Sequence, residues 1–245
     1  MPKCICLNVG EKNLQILTFG RNYLIKLLFD YALTCFDEFK KIKDSLPLGA
    51  SLLAVSKGQH PRSIRKLSEY GQLDFGESRL QEALPKKNDL KDLNQLRWHF
   101  VGKLQKNKAR GVVKEFDFIH SVDSLQLMDR ISRISQEEQK TPNIFLQVKL
   151  RDDPQKGGFL KQDLLKSWPN ILSLKNIHLI GLMTIPPIAL NLSQRKDLFC
   201  ECRSLADHLE LKHCSMGMSN DWEEALEGGA TWIRLGSLLF GQRKL

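Results

Sequence analysis

The chain has 245 residues, of which 42% are apolar and 27% charged, an ordinary balance for a soluble globular protein. No stretch approaches the roughly 18 consecutive apolar residues of a membrane helix, so no membrane association is expected. The net charge of +9 raises a nucleic-acid reading, but the positive residues are dispersed, and the densest group (Lys103, Lys106, Lys108, Arg110, Lys114) has few aromatics interleaved for base stacking. That group reads as a solvated helical face, or as a face that helps attract an anionic ligand.

The six cysteines, at positions 4, 6, 35, 200, 202 and 214, lack the spacing of a zinc site. His208 and His213 are five apart, which does not place them on one helix face, so no metal site is expected. In the first twenty residues Glu11 and Lys12 interrupt any apolar core of a secretion signal. The expectation is a cytoplasmic protein with reduced thiols.

Residues 1–21 show no convincing period and read as an N-terminal extension. Residues 22–43 carry Leu24, Leu27, Leu28, Tyr31, Ala32, Cys35, Phe36, Phe39 and Ile42 at helical spacing, with Pro47 beyond them. From residue 50 onward, apolar runs occur at 52–55, 73–75, 97–101, 116–119, 144–148, 177–181, around 213–216, and at 231–235. Helical patterns lie between them, notably Ile64–Tyr70, Ser124–Ile134 and Arg195–Leu209. Ser124 stands as a capping residue, and Leu125, Leu127, Met128 and Ile131 recur on one face. Eight strand-like runs, each followed by a helix or helical turn, predict a single (β/α)8 TIM-type barrel over residues 22–245, with an extra N-terminal helix. A doubly wound open sheet is the alternative, but it leaves two or three strands unplaced.

Chemistry in such a barrel gathers at the carboxyl ends of the strands. The first run, Leu52-Leu53-Ala54-Val55-Ser56-Lys57-Gly58, ends in a lysine. An ammonium held against an apolar wall tends to lose its proton, and a neutral amine can condense with an aldehyde. Lys57 is therefore a candidate Schiff-base residue; its other reading is the first solvated residue after a strand.

The last two runs lead into Ser215-Met216-Gly217-Met218-Ser219 and Arg234-Leu235-Gly236-Ser237. Glycines permit close backbone approach, the serines supply hydroxyls, and helices opening near Asp221 and Ser237 would point N–H groups at an anion. Loops after the seventh and eighth strands often hold phosphate, so these segments read as a phosphate cradle. Arg234 either reaches into the mouth or pairs with a carboxylate such as Glu77. His99, between Trp98 and Phe100, also reads as a core histidine.

Together these segments resemble the pyridoxal phosphate (PLP) homeostasis protein family, single-barrel relatives of the alanine racemase N-terminal domain. The resemblance runs from about residue 50 to the end. It rests on Ala54-Val55-Ser56-Lys57, Phe75-Gly76-Glu77, Trp98-His99-Phe100-Val101-Gly102-Lys103-Leu104-Gln105, Ile119-His120-Ser121-Val122-Asp123 and Gly181-Leu182-Met183-Thr184-Ile185-Pro186, with the two C-terminal segments. It implies that Lys57 holds pyridoxal 5′-phosphate as a Schiff base, with Ser215, Ser219, Gly236 and Ser237 around the phosphate. Met183 and Met218 would pack near the ring and Arg234 would face its nitrogen, with Ser78 also in the cofactor site.

The implied function is intracellular PLP homeostasis: a cofactor carrier or buffer that meets apo PLP-dependent enzymes, is monomeric, and has no robust catalysis. The alternative is a low-activity amino-acid racemase. Racemases supply a tyrosine base from a second domain; with the chain ending at Leu245, none is expected, and Tyr70 and His99 are the remaining candidates for a second base. Three departures stand out. Ser78 replaces the family's usual asparagine, Gln155-Lys156-Gly157-Gly158-Phe159 replaces Ser-Lys-Ser-Gly-Phe, and the first fifty residues match poorly.

Overall fold

The computed structural model describes residues 37–241. Residues 37–45 form helix α1, the part of the expected N-terminal helix that falls within them; residues 22–36 and the extension 1–21 lie outside. The chain then alternates through β1 (Ser51–Val55), α2 (Pro61–Glu69), β2 (Asp74–Glu77), α3 (Leu80–Asp89), β3 (Arg97–Phe100), a 3₁₀ turn (Lys106–Lys108) and α4 (Ala109–Glu115). It continues through β4 (Phe118–Val122), α5 (Leu125–Glu137), β5 (Asn143–Lys149), β6 (Phe159–Leu160), α6 (Lys161–Leu172) and β7 (His178–Met183). The last elements are α7 (Leu192–His208), β8 (His213–Ser215), α8 (Trp222–Glu227), β9 (Trp232–Leu235) and α9 (Ser237–Phe240).

The strand order is β4-β3-β2-β1-β9-β8-β7-β5-β6, and β4 also pairs with β5, so eight parallel strands close into a barrel. That pairing rules out the open doubly wound sheet. The ninth strand, β6, was not expected: two residues pair with the end of β5, outside the closed circuit.

Period-two alternation sorts the side chains of each strand. On β1, Leu52 and Ala54 face the helices, whereas Leu53 and Val55 face the lumen, where they pack with Phe145, Met183 and Trp232. On β9, Ile233 and Leu235 belong to the layer under the helices, leaving Trp232 and Arg234 on the inward parity. Helices are set by local signals. Ser124 caps α5 by accepting the Leu127 amide, and Asn191 with Gln194 closes a reciprocal capping box on α7.

Candidate functional site

Lys57 continues the inward parity of Leu53 and Val55, two residues past the latter, and so arrives half-buried at the carboxyl mouth. The backbone around it is fixed from three sides. The Ser56 amide donates to the Gly76 carbonyl at 2.9 Å, the Lys86 ammonium donates to the Ser56 carbonyl at 2.8 Å, and the Gly58 amide donates to Glu82. Gly58 has φ +75°, a left-handed turn suited to glycine, which lets the chain leave the strand for α2.

Glu77 is fully buried on the outward side of β2, against α3. It accepts from the Ser56 hydroxyl at 2.6 Å and from Lys86 at 2.8 Å; burial raises its carboxyl above the usual range, and these two partners oppose that rise. The pairing of Glu77 with Arg234 that the sequence allowed is therefore overturned: the two lie on opposite faces of the barrel wall.

Arg234 is 5% exposed. It donates from one terminal nitrogen to the Ser215 hydroxyl at 2.9 Å and from the other to the Thr184 carbonyl at 3.0 Å. Burial lowers its pKa to about 10, opposed mainly by Asp221. Behind it, His99 and His120 are fully buried in the lumen and bonded through both ring nitrogens, so His99 is a satisfied core residue. Both are held below the ordinary imidazole range by burial.

A cavity of 270 Å³ opens at this mouth, near the lower end of the roughly 300–1,000 Å³ usual for small-molecule sites. Of the residues singled out from the sequence, Lys57, Met218, Ser219, Arg234, Gly236 and Ser237 line it. Val101, Ile185, Gln59 and Gly241 also line it and were not singled out, although Val101 and Ile185 sit inside the motifs.

Three expected residues are not on the cavity wall. Ser215 is fully buried, with its hydroxyl engaged by Arg234 and His120 rather than offered to an anion. Met183 is in the lumen core with Phe145 and Trp232, one layer deeper than the mouth. Ser78 is half-buried and its carbonyl lies under Gly102, where an added Cβ would come within 2.1 Å of it. The helices expected to aim amides at an anion are short, with α8 six residues and α9 four. The Met218 amide is taken by the Asp221 carboxylate at 2.6 Å.

The donor set suits a phosphorylated aromatic aldehyde. An amine for the carbonyl, two hydroxyls with a glycine for the anion, and a cation that can only donate all converge on one cavity with apolar walls from Val55, Val101 and Ile185. Among the described residues no group of metal ligands is present, and no helix is long and apolar enough to cross a membrane.

Residues 37–244 match the alanine racemase N-terminal domain family. A pyridoxal phosphate homeostasis protein of Synechocystis is 43% identical over 211 residues, covering 84% of this chain and 97% of that relative. The chain belongs to the pyridoxal phosphate homeostasis protein family. Another family member, from Aquifex aeolicus, is 39% identical over 201 residues, covering 80% of this chain and 88% of the relative. Among solved structures, PipY of Synechococcus elongatus with PLP bound superimposes with a TM-score of 0.82 at 42% identity, covering 84% of this chain and all of that one.

Proposed function

We propose that this protein serves PLP homeostasis by holding pyridoxal 5′-phosphate in the 270 Å³ cavity, covalently attached to Lys57. The observation that carries the reading is the convergence of Lys57, Arg234 and the Ser219, Gly236 and Ser237 group on that one space. Bound there, the cofactor contributes a reactive carbonyl and an electron-withdrawing ring; the chain's own residues decide how far that chemistry runs. Lys57 supplies the amine, Ser219 and Ser237 donate to the phosphate, and Met218 packs beside the ring. Arg234 cannot accept a proton from the ring nitrogen and disfavours its protonation, which weakens the ring as an electron sink.

The family name of its relatives and the PLP bound in PipY support this assignment. Buffering or delivery, rather than robust turnover, is supported by where the candidate second bases fall. Racemisation needs an acid-base group on each face of the substrate carbon. His99 is sealed in the lumen, and Tyr70 caps the carboxyl end of α2, at the opposite end of the barrel from the mouth. Apo PLP enzymes as recipients, a monomeric state and a cytoplasmic location belong to the same proposal.

The test is the absorbance spectrum of the purified protein with PLP before and after borohydride reduction, with the labelled peptide mapped. A visible band that reduction converts into a stable adduct on Lys57 is expected. In Lys57→Ala the adduct should disappear; an undiminished adduct on another lysine would sink the assignment. Exchange of the amino-acid Cα–H in deuterated water should stay near background; fast exchange dependent on Lys57 would favour the racemase reading.

A further inference from the structure

The lumen contains a line of polar side chains that cofactor binding alone leaves unexplained. From the mouth downward, Arg234 donates to the Ser215 hydroxyl at 2.9 Å, and that oxygen is 2.8 Å from Nδ1 of His120. Nε2 of His120 is 2.9 Å from Nδ1 of His99, and Nε2 of His99 is 3.0 Å from Oδ1 of Asp74. Asp74 is the first residue of β2, so the line crosses the barrel from its carboxyl end to its amino end.

The chemistry of the two ends fixes the direction of every bond. A guanidinium has no acceptor, so Ser215 accepts from Arg234 and has its one hydrogen left for Nδ1 of His120. His120 then carries its proton on Nε2 and donates to Nδ1 of His99. His99 likewise carries its proton on Nε2 and donates to the Asp74 carboxylate. With both rings neutral, the state that burial favours, all four bonds point from cation to anion. The rings are also clamped in plane: His99 stacks on Phe118 with centroids 4.1 Å apart and His120 on Phe145 at 4.3 Å.

Arg234 needs such an arrangement. A buried cation without compensation is costly, and the two groups that Arg234 bonds, the Ser215 hydroxyl and the Thr184 carbonyl, are both uncharged. Asp221 acts on Arg234 only at longer range and Cys202 is held as a neutral thiol, while Arg97, at 2.6 Å, and Asp117 are the other charged groups that bear on Asp74 or His99. Aligned hydrogen bonds polarise one another, so the line conveys part of the Asp74 charge to the far end.

We propose that His120 and His99 are positioning residues: through Ser215 they hold the Arg234 guanidinium at the cofactor's end of the barrel and couple it to Asp74. This rests on the PLP reading of the cavity. Its first test needs no cofactor. Nitrogen-15 NMR of the histidine rings in the unliganded protein near neutral pH should show His99 and His120 neutral and protonated at Nε2. A ring protonated at Nδ1, or a charged ring, overturns the proposal.

The second test is PLP titration of two variants. Ser215→Ala removes the hydroxyl that accepts from Arg234 and links it to His120, and binding should weaken about tenfold, with a shift in the absorbance band of the bound cofactor. Asp74→Asn lies at the far end and touches no part of the cavity; it should shift the same band and weaken binding about threefold. Unchanged affinity and spectrum in both variants, with the Lys57 adduct intact, overturn the coupling and leave the cofactor reading standing. Absence of the adduct in the unaltered protein defeats that reading instead. If Asp74→Asn unfolds, the tautomers of the unaltered protein and the Ser215→Ala titration decide.

Discussion

Glu77 and Lys86 sit on the outer side of the barrel wall yet bear directly on Lys57. Lys86 is 6% exposed and shares its three donor positions among Glu77, Glu82 and the Ser56 carbonyl, so the residue before Lys57 is tied to a buried ion pair. Removing one partner of such a pair typically costs about 3–5 kcal/mol, because the other charge remains without compensation. The lumen histidines make stability depend on pH in a defined sense. Burial lowers both pKa values in the folded protein, while the unfolded chain takes up protons near the ordinary value of 6.5. The unfolded state therefore binds more protons below that pH, and stability falls with acid. The groups that bear on these rings are Asp74, Arg97 and Asp117 for His99, and Arg234 for His120, besides each other. Thermal unfolding should show a plateau above about pH 6.5 and a decline below it, flattened in His120→Asn.

The loop between β8 and α8 shows how an element limits the site it carries. Gly217 has φ +90°, and a Cβ there would lie 2.6 Å from the Ala225 Cβ and 3.1 Å from the Trp222 Cα. Gly217→Ala should cost about 2 kcal/mol in urea unfolding and also weaken PLP binding, since Met218 and Ser219 follow directly. Legibility divides along similar lines. The barrel strands were readable because each is a short apolar run, and parity alone brings Lys57 and Arg234 inward. Helices α3 and α6 were less readable because Pro85 and Pro169 interrupt them, and β6 is too short to show a pattern. Parity does not report depth, however. Ser215 and Met183 share the inward side with the cavity residues but lie a layer below them, and that offset comes from the stagger of the strands.

At the scale of the molecule, the positive charge is less available than its count suggests. Arg110 is bonded to Glu137 and Glu138, Lys114 pairs with Glu138 at 3.1 Å, and Lys106 donates to Gln126 at 2.7 Å, so much of the basic run lies against α5. This favours a solvated face over a nucleic-acid surface. The division expected from the sequence, an extension and one cofactor domain, predicts that deleting residues 1–21 leaves PLP affinity and the unfolding midpoint unchanged; a clear loss of either would place those residues within the domain. Closure of the sheet carries a last consequence. Parallel strands with a free rim invite pairing with another copy of the chain, the usual seed of fibrils. Here β4 meets β5, and among the described residues the rim that remains beyond them is the two-residue β6, too short a template to recruit a neighbour. Edge-to-edge pairing through the barrel strands must therefore wait until the circuit itself comes apart.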